Sequence, residues 1–484
     1  MAEKLIDPSL DRFHLFDEED GVILRNDGAE FQPAEKNPFY VLATVFGEAK
    51  HGVFGWQIAP EIDVKNRRAW NGLACAGLND DERRTLALKL NLDVGDLMPL
   101  STEEKGEILT LFQVRMDTDK QLPDASEFTS VSRTVFLKKL TFEKRYFPAF
   151  AFFNSCHFAE TTNFTSSVFA STAYFRSCHF VGGADFRAIQ FVGDAVFNSS
   201  YFNGPVDFGF SYFTGKANFV SSNFMEAAKF NFCCFDGYAK FEFCHFAGHV
   251  RFEASYFANY SNFCSIETNG ETSFDQATFK TNVPKFHAAK LYRDTVFPTT
   301  DPASLNYPEI MPAGEELVGD VPYMSATEQK RAYNTLRYFM NQNLEIDQEL
   351  FFHRREMACK EVTDDKWINR QLIKLYGFFS DYGSSIPKPL AWLSINFMFG
   401  FIWLGAWQIK GYSFEAVFIA GREAAGWSFS NMFAFFRFGN LFYGKDYYDA
   451  LPIGLQVLGA TQTVCGFVTL FLLGLGIRSR FRLR

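Results

Sequence analysis

Nine cysteines, at positions 75, 156, 178, 233, 234, 244, 264, 359 and 465, are where metal or redox chemistry would first be sought, because a thiolate is both a ligand and a nucleophile. No pair has CxxC spacing and the count is odd, so the sequence implies reduced thiols. His157 and His179 lie twenty-two residues apart, and His353 and Glu356 one helical turn apart. The first pair could hold a metal only if a repeat stacked the two rings, which any solenoid does to surface residues, and the second lacks the further His or Cys that a metal or acid–base role requires. Near the C-terminus, Asn396, Gln456, Thr461, Gln462 and Thr463 interrupt apolar segments. Their chemistry is hydrogen bonding out of reach of water, which serves helix pairing, oligomer contacts or a water-filled path. No nucleophile, base and orienting group converge, so neither enzyme activity nor a cofactor is expected.

An internal repeat positions most of these side chains. The chain uses 60 Phe in 484 residues, far above ordinary usage. One series runs Phe142, Phe153, Phe164, Phe175, Phe186, Phe197, Phe208, Phe219, Phe230, Phe241, Phe252, Phe263 and Phe274, each eleven residues from the last. A second runs beside it from Phe147 to Phe279, with Thr268 in place of one ring, so that spacings alternate between five and six. Two positions before most rings stands a small residue such as Ala151, Cys156, Ala173, Cys178, Ser200, Cys233 or Cys244. Side chains two apart on an extended segment share a face, so each short side points one small and one large residue inward. His157, His179 and His245, each just before a Phe, are read as outward-facing polar positions.

Two residues after most rings of the second series stand Gly182, Gly193, Gly204, Gly215, Gly237, Gly248 and Gly270. A constant phase of glycine predicts a corner with a left-handed residue, which takes up the extra residue of each six-residue step. This pattern resembles the pentapeptide-repeat family, departing from its period of five. The resemblance implies a right-handed quadrilateral β-helix, a square-sectioned solenoid spanning residues 136–298, with about seven coils.

The flanks read differently. Residues 1–135 show apolar spacings of three and four in NPFYVLATVFGEA, NRRAWNGLACAGL, DDERRTLALKLNL and STEEKGEILTLFQVR, which predict a mostly helical domain with Asp80 and Ser101 as caps. Its expected roles are capping the solenoid's open edge or docking a partner. Residues 299–324 are Pro-rich and read as a linker. Residues 325–388 predict one long charged helix from Ser325, then an aromatic, basic helix suited to a membrane interface. Residues 389–484 hold two apolar segments, about 389–407 and 452–477, each long enough to cross a bilayer. Lys374 and Lys388 precede the first, while Arg478, Arg480, Arg482 and Arg484 follow the second, which predicts a hairpin with both chain ends in the cytoplasm. Residues 408–451 are then outside or re-entrant.

The stretch LYGFFSDYGSSIPKPL, the two spans and the ending FLLGLGIRSRFRLR together look like the tail of bacterial membrane-bound pentapeptide-repeat proteins. That tail is distantly similar to the two-span pore unit of potassium-type channels, but WSFSNMFAFFRFGNLFYGKDYYD contains no TVGYGD-like filter. Among the polar residues, Asn396, Gln456, Gln462 and Thr463 are the candidates for helix pairing or for a pore, with Gly459, Thr463 and Gly466 as a close-packing strip.

A formal charge of −9 and a pI near 5.5 exclude a protein whose main work is neutralising nucleic-acid phosphates. Acidic and basic residues are nearly balanced over 142–297, which also speaks against DNA mimicry. The N-terminal stretch MAEKLIDPSLDRF lacks a basic n-region and an apolar h-region, so no secretory signal is read. The expected function is a non-enzymatic, membrane-anchored scaffold in the inner (cytoplasmic) membrane that recognises a cytoplasmic protein. The alternative is an oligomeric ion channel or membrane-perturbing effector, which would need a homo-oligomer.

Overall fold

The computed structural model describes residues 15–19, 22–25, 30–52, 55–298, 306–310, 324–409, 414–434, 438, 443, 447 and 450–481. The chain forms two compact units: one carries the solenoid and its caps as far as Met324, and the other runs from Ser325 onward.

In the first unit, two-residue strands repeat along four sides, and each side is a parallel ladder of seven solenoid strands. Ladder partners lie one coil apart, as in Ala173↔Ala195 and Phe180↔Phe202. The solenoid begins earlier than its Phe series, since Phe128–Ser130 pairs with Phe150–Phe152. The predicted core rings are inside: Phe164, Phe175, Phe186, Phe197, Phe208, Phe219, Phe230 and Phe241 are fully buried, and Phe252 nearly so. Rings of successive coils stack in parallel, as Phe175 does on Phe197 at 4.8 Å and 2°. Rings from facing sides meet edge to face, as Phe186 does with Phe197 at 5.3 Å and 85°. Both are favoured aromatic geometries, so one ring per side per coil fills the interior without voids.

The corners differ from the expectation. None of the corner glycines has positive φ. The left-handed residues are instead Ser155, Ser166, Ser177, Ala188, Ser199, Phe210, Ser221, Phe232, Phe243, Ala254, Ser265 and Gln276, with φ between 52° and 62°. They lie in the five-residue step, which has one residue fewer with which to turn. A non-glycine residue pays roughly 1–2 kcal/mol for this conformation. The glycine corners, in the six-residue step, need glycine for space: a Cβ on Gly204 would sit 2.7 Å from the carbonyl carbon of Gly182 in the coil below. Gly182, Gly193, Gly215, Gly237 and Gly248 are equally tight against backbone.

The small slots are also of two kinds. Before the first Phe series they are apolar, as at Ala173, Ala195 and Ala217. Before the second they mostly hold a hydroxyl or thiol that donates to the carbonyl of a ring residue: Ser200 Oγ to Phe175 O (2.6 Å), Ser211 Oγ to Phe186 O (2.8 Å), Cys178 Sγ to Phe153 O (2.8 Å) and Cys244 Sγ to Phe219 O (2.9 Å). These bonds satisfy carbonyls at the left-handed corner that the ladder leaves open. All nine cysteines are unpaired, and burial pushes the thiols of Cys233 and Cys244 well above their ordinary pKa.

Four helices cap the starting edge: α1 (Pro38–Ala43), α2 (Pro60–Ala74), α3 (Asp80–Leu90) and α4 (Thr102–Met116). Asn79 rather than Asp80 caps α3, and Ser101 caps α4, each in a reciprocal bond with a Glu three residues on. Trp70 of α2 is fully buried against Phe142 and Phe147, and its Nε1 donates to Tyr146 O at 2.9 Å. Asn71 imitates a missing strand, donating to Lys144 O and accepting from Tyr146 N, both at 3.0 Å. Asp63 holds the fully buried Arg145 at 3.2 Å. The expected cap is therefore built largely from side chains. Strands also contribute: β1 (Leu15–Glu19), β2 (Val22–Arg25) and β3 (Glu30–Pro33) extend one ladder, with β3 pairing beside Thr134–Phe136.

At the far end, Phe286, Phe297 and Tyr307 continue the ring stacks over Phe263, Phe274 and Phe279. Asn306 and Tyr307 fall in the segment read as linker yet close the last coil, while most of that linker lies outside the described residues. Thr268 ends its ring column, and its Oγ1 accepts from the Tyr292 amide at 2.8 Å.

Candidate functional site

The second unit opens with two helices, α5 (Ala326–Gln342) and α6 (Ile346–Thr363), where one long helix was expected. Left-handed Leu344 reverses the chain. The apolar faces explain why: Tyr333, Leu336 and Met340 of α5 and Phe351, Phe352 and Cys359 of α6 are buried, and a straight rod would leave them in water. Ser325 caps α5 with Glu328. Arg337 pairs with Glu356 at 2.8 Å, so Glu356 is committed to an arginine and not to His353.

His353 instead faces Tyr382 O at 3.3 Å, and burial, followed by the Arg337 charge, holds it below the ordinary histidine value. The folded unit therefore keeps this ring neutral where the unfolded chain takes up a proton. Stability conferred by the neutral ring is present above the unfolded value of 6.5 and is lost as pH falls below it. The melting temperature of the helical unit in detergent is expected to drop across that window, and H353Q should flatten the drop. An unchanged slope in H353Q would assign the effect elsewhere. Asp381 is pushed up by burial, but Arg354 at 3.1 Å and Lys388 at 3.2 Å outweigh this and hold it below the usual carboxylate range.

Helix α7 (Trp367–Ser380) leaves Trp367, Ile368, Leu372, Leu375 and Phe378 exposed beside Lys366, Arg370 and Lys374. Helices α8 (Pro387–Gln408) and α10 (Ile453–Phe481) are long and apolar enough to cross a membrane. Between them packs α9 (Phe414–Met432). Large apolar side chains point outward, with Phe399 at 55%, Ile402 at 58%, Phe467 at 65% and Phe471 at 60% exposure, whereas Ser428 (0%), Gln462 (1%) and Asn431 (6%) are buried. This inverts the layout of a protein folded in water.

The inward polar groups form one node. Asn396 Nδ2 donates to Gln462 O at 3.1 Å, and Gln462 Nε2 donates to Asn396 O at 2.8 Å. Gln462 Nε2 also reaches Ser428 Oγ at 2.6 Å, and Ser428 Oγ donates to Phe397 O at 2.7 Å. Asn431 Nδ2 stands 3.4 Å from Gln462 Oε1. The node thus ties the end of α9 to Asn396 near the middle of α8. Small residues permit the approach: Gly400 lies against Gln462, and a Cβ on Gly466 would meet Met432 O at 2.7 Å.

Of the four polar candidates, the structure joins Asn396 and Gln462 but not Gln456 and Thr463. Gln456 donates to Leu451 O at 2.9 Å, and Thr463 Oγ1 returns to Gly459 O of its own helix at 3.0 Å. Both line a cavity of about 240 Å³ together with Trp427, Asn431 and Gly459. The close-packed stripe of α10 includes Gly459, Gln462, Gly466, Thr469 and Gly476, with Thr463 at its edge. Ser428 and Asn431 were missed; hydroxyl and amide side chains in the apolar stretch WSFSNM were the available signal. Much of the aromatic loop 435–449 lies outside the described residues, as do Arg482 and Arg484.

In the solenoid, the histidines correct the sequence reading. His157 and His179 are buried, at 8% and 6% exposure, with their Nδ1 atoms 3.2 Å apart, so one ring donates and the other accepts. His179 Nε2 lies 3.2 Å from Asn203 Oδ1. Among the described residues, no group of three or more metal-ligating side chains forms. No family model, no curated protein and no solved structure matches this chain.

Proposed function

We propose that the protein is a non-enzymatic, membrane-anchored scaffold whose capped solenoid recognises a cytoplasmic protein. The observation that carries the anchoring is the inverted second unit: apolar rings face outward along α8 and α10, while amides and hydroxyls pair inside. In hydrocarbon that layout satisfies every exposed surface, and in water it would not. α7 then lies in the interface with its apolar face down, and α9 is a re-entrant helix ending at the node. Lys374 ahead of α8, Lys388 in its first turn and Arg478 and Arg480 in the last turn of α10 support a hairpin with the solenoid and both termini on the cytoplasmic side of the inner membrane.

The scaffold reading rests on a ring-filled rod whose buried thiols are held protonated. Asn396 and Gln462 are spent on each other and on Ser428, which leaves them within one chain and not along a conducting path. Two measurements test the proposal. A reporter fused after Arg484 should be active only in the cytoplasm, and activity outside would overturn the hairpin. Purified chain in vesicles should show no ion flux above empty vesicles, whereas a steady conductance would establish the channel instead.

A further inference from the structure

At most left-handed corners of the solenoid stands a Ser or Ala, the cheap choices among residues with a Cβ. Phe210, Phe232 and Phe243 break that habit, and of these Phe210 and Phe232 share one corner column: both are largely exposed (58% and 54%), and they stack on each other at 4.9 Å and 7°. A bulky ring is strained in this conformation, and here it gains no burial in return. On the adjoining flat side, Tyr212 (54%) and Tyr256 (38%) are exposed as well, with Cys234 between them in the same ladder. The rings themselves enclose no charge, and charges begin at the margin with Asp236 beside Cys234, Arg187 on Asp185, Asp207 near Lys229, and Glu253. An aromatic, uncharged centre inside a charged rim is the anatomy of a protein interface.

The order of those charges selects the partner. A two-fold axis running across the solenoid, midway between the coils of Phe210 and Phe232, sets each coil of one copy against the mirrored coil of another. The solenoid's period of twenty-two then fixes every pairing. Phe210 meets Phe232 and Phe232 meets Phe210, Arg187 meets Glu253, and Asp207 meets Lys229. Opposite charges face each other along the rim and apolar residues face each other at the centre, which makes the patch self-complementary. We infer that two copies of this chain pair antiparallel through the Phe210–Phe232 ridge.

Site-specific cross-linking of the full chain in detergent tests this. Ala188 and Ala254 hold the same corner position three coils apart, about 14 Å within one chain at the strand spacing, and the two-fold axis brings Ala188 of one copy to Ala254 of the other. A188C/A254C is expected to give a covalent dimer on mild oxidation, and neither single variant should. Adding F210S/F232S should abolish the dimer while the melting temperature stays equal or rises, since Ser166 already holds this corner and Ser177, Ser199 and Ser221 hold the left-handed corner on the opposite side. R187E should suppress the cross-link, and R187E/E253R should restore it. Equal cross-linking by the single variants, persistence in F210S/F232S, or no rescue by the charge swap would each overturn the pairing. So would a chain that stays uncross-linked in A188C/A254C, which would assign the ridge to a different protein.

Discussion

Gly204→Ala is expected to destabilise the solenoid by about 1–3 kcal/mol, the range for forcing a methyl group into packed structure, whereas Gly183→Ala should change it little. The two glycines stand at the same corner of neighbouring coils, yet only one is crowded. A Cβ on Gly204 would lie 2.7 Å from the carbonyl carbon of Gly182, while one on Gly183 would find Pro205 O at an ordinary 3.5 Å. The backbone cannot give way at low cost, because both sides of the corner are held by ladder bonds such as Ala184 N to Pro205 O at 2.9 Å. Thermal unfolding of the two variants decides the matter: equal melting temperatures would mean that coil spacing is softer than the stacked ladders imply.

Phe197→Ala should cost about 3–5 kcal/mol, the range for emptying an aromatic site in a packed core. The ring is fully buried, stacked between Phe175 at 4.8 Å and Phe219 at 5.0 Å, and edged by Phe186 and Phe208, both at 5.3 Å. Its neighbours are pinned by their own stacks, so the hole cannot collapse. Because each coil contacts only its neighbours, the loss should also split the rod's cooperativity. Hydrogen exchange should show amides of the central coils opening before those near the Trp70 cap. Uniform protection across the rod, with a loss below about 1 kcal/mol, would show that single rings are dispensable.

How far the sequence was legible follows from how local each constraint is. The eleven-residue beat of Phe with a small residue two places earlier described the core, because strand alternation acts over two residues and any slip would turn rings into water. It did not reveal which corner is left-handed. Ser177 and Ala188 tolerate that conformation without advertising it, whereas Gly182 and Gly204 stand out in sequence for a different reason, the nearness of the next coil. The outward reading of His157 and His179 failed because polarity and position in the repeat say nothing about what covers a side of the rod. The charged stretch after Ser325 has the same composition as one helix or two, and it is burial across the turn, as of Tyr333 against Phe352, that folds it back.

The sequence by itself determined the solenoid, its ring-filled interior, helices ahead of it and the two long apolar helices, since each is written in a period shorter than one coil or one span. The tertiary structure decided which polar groups meet: Asn396 with Gln462, both singled out beforehand, and Ser428 and Asn431 of α9, which were not. Spacing along the chain locates a side chain on its own helix, but the partner that satisfies it in the absence of water is chosen by how three helices pack, an approach that Gly400 and Gly466 permit.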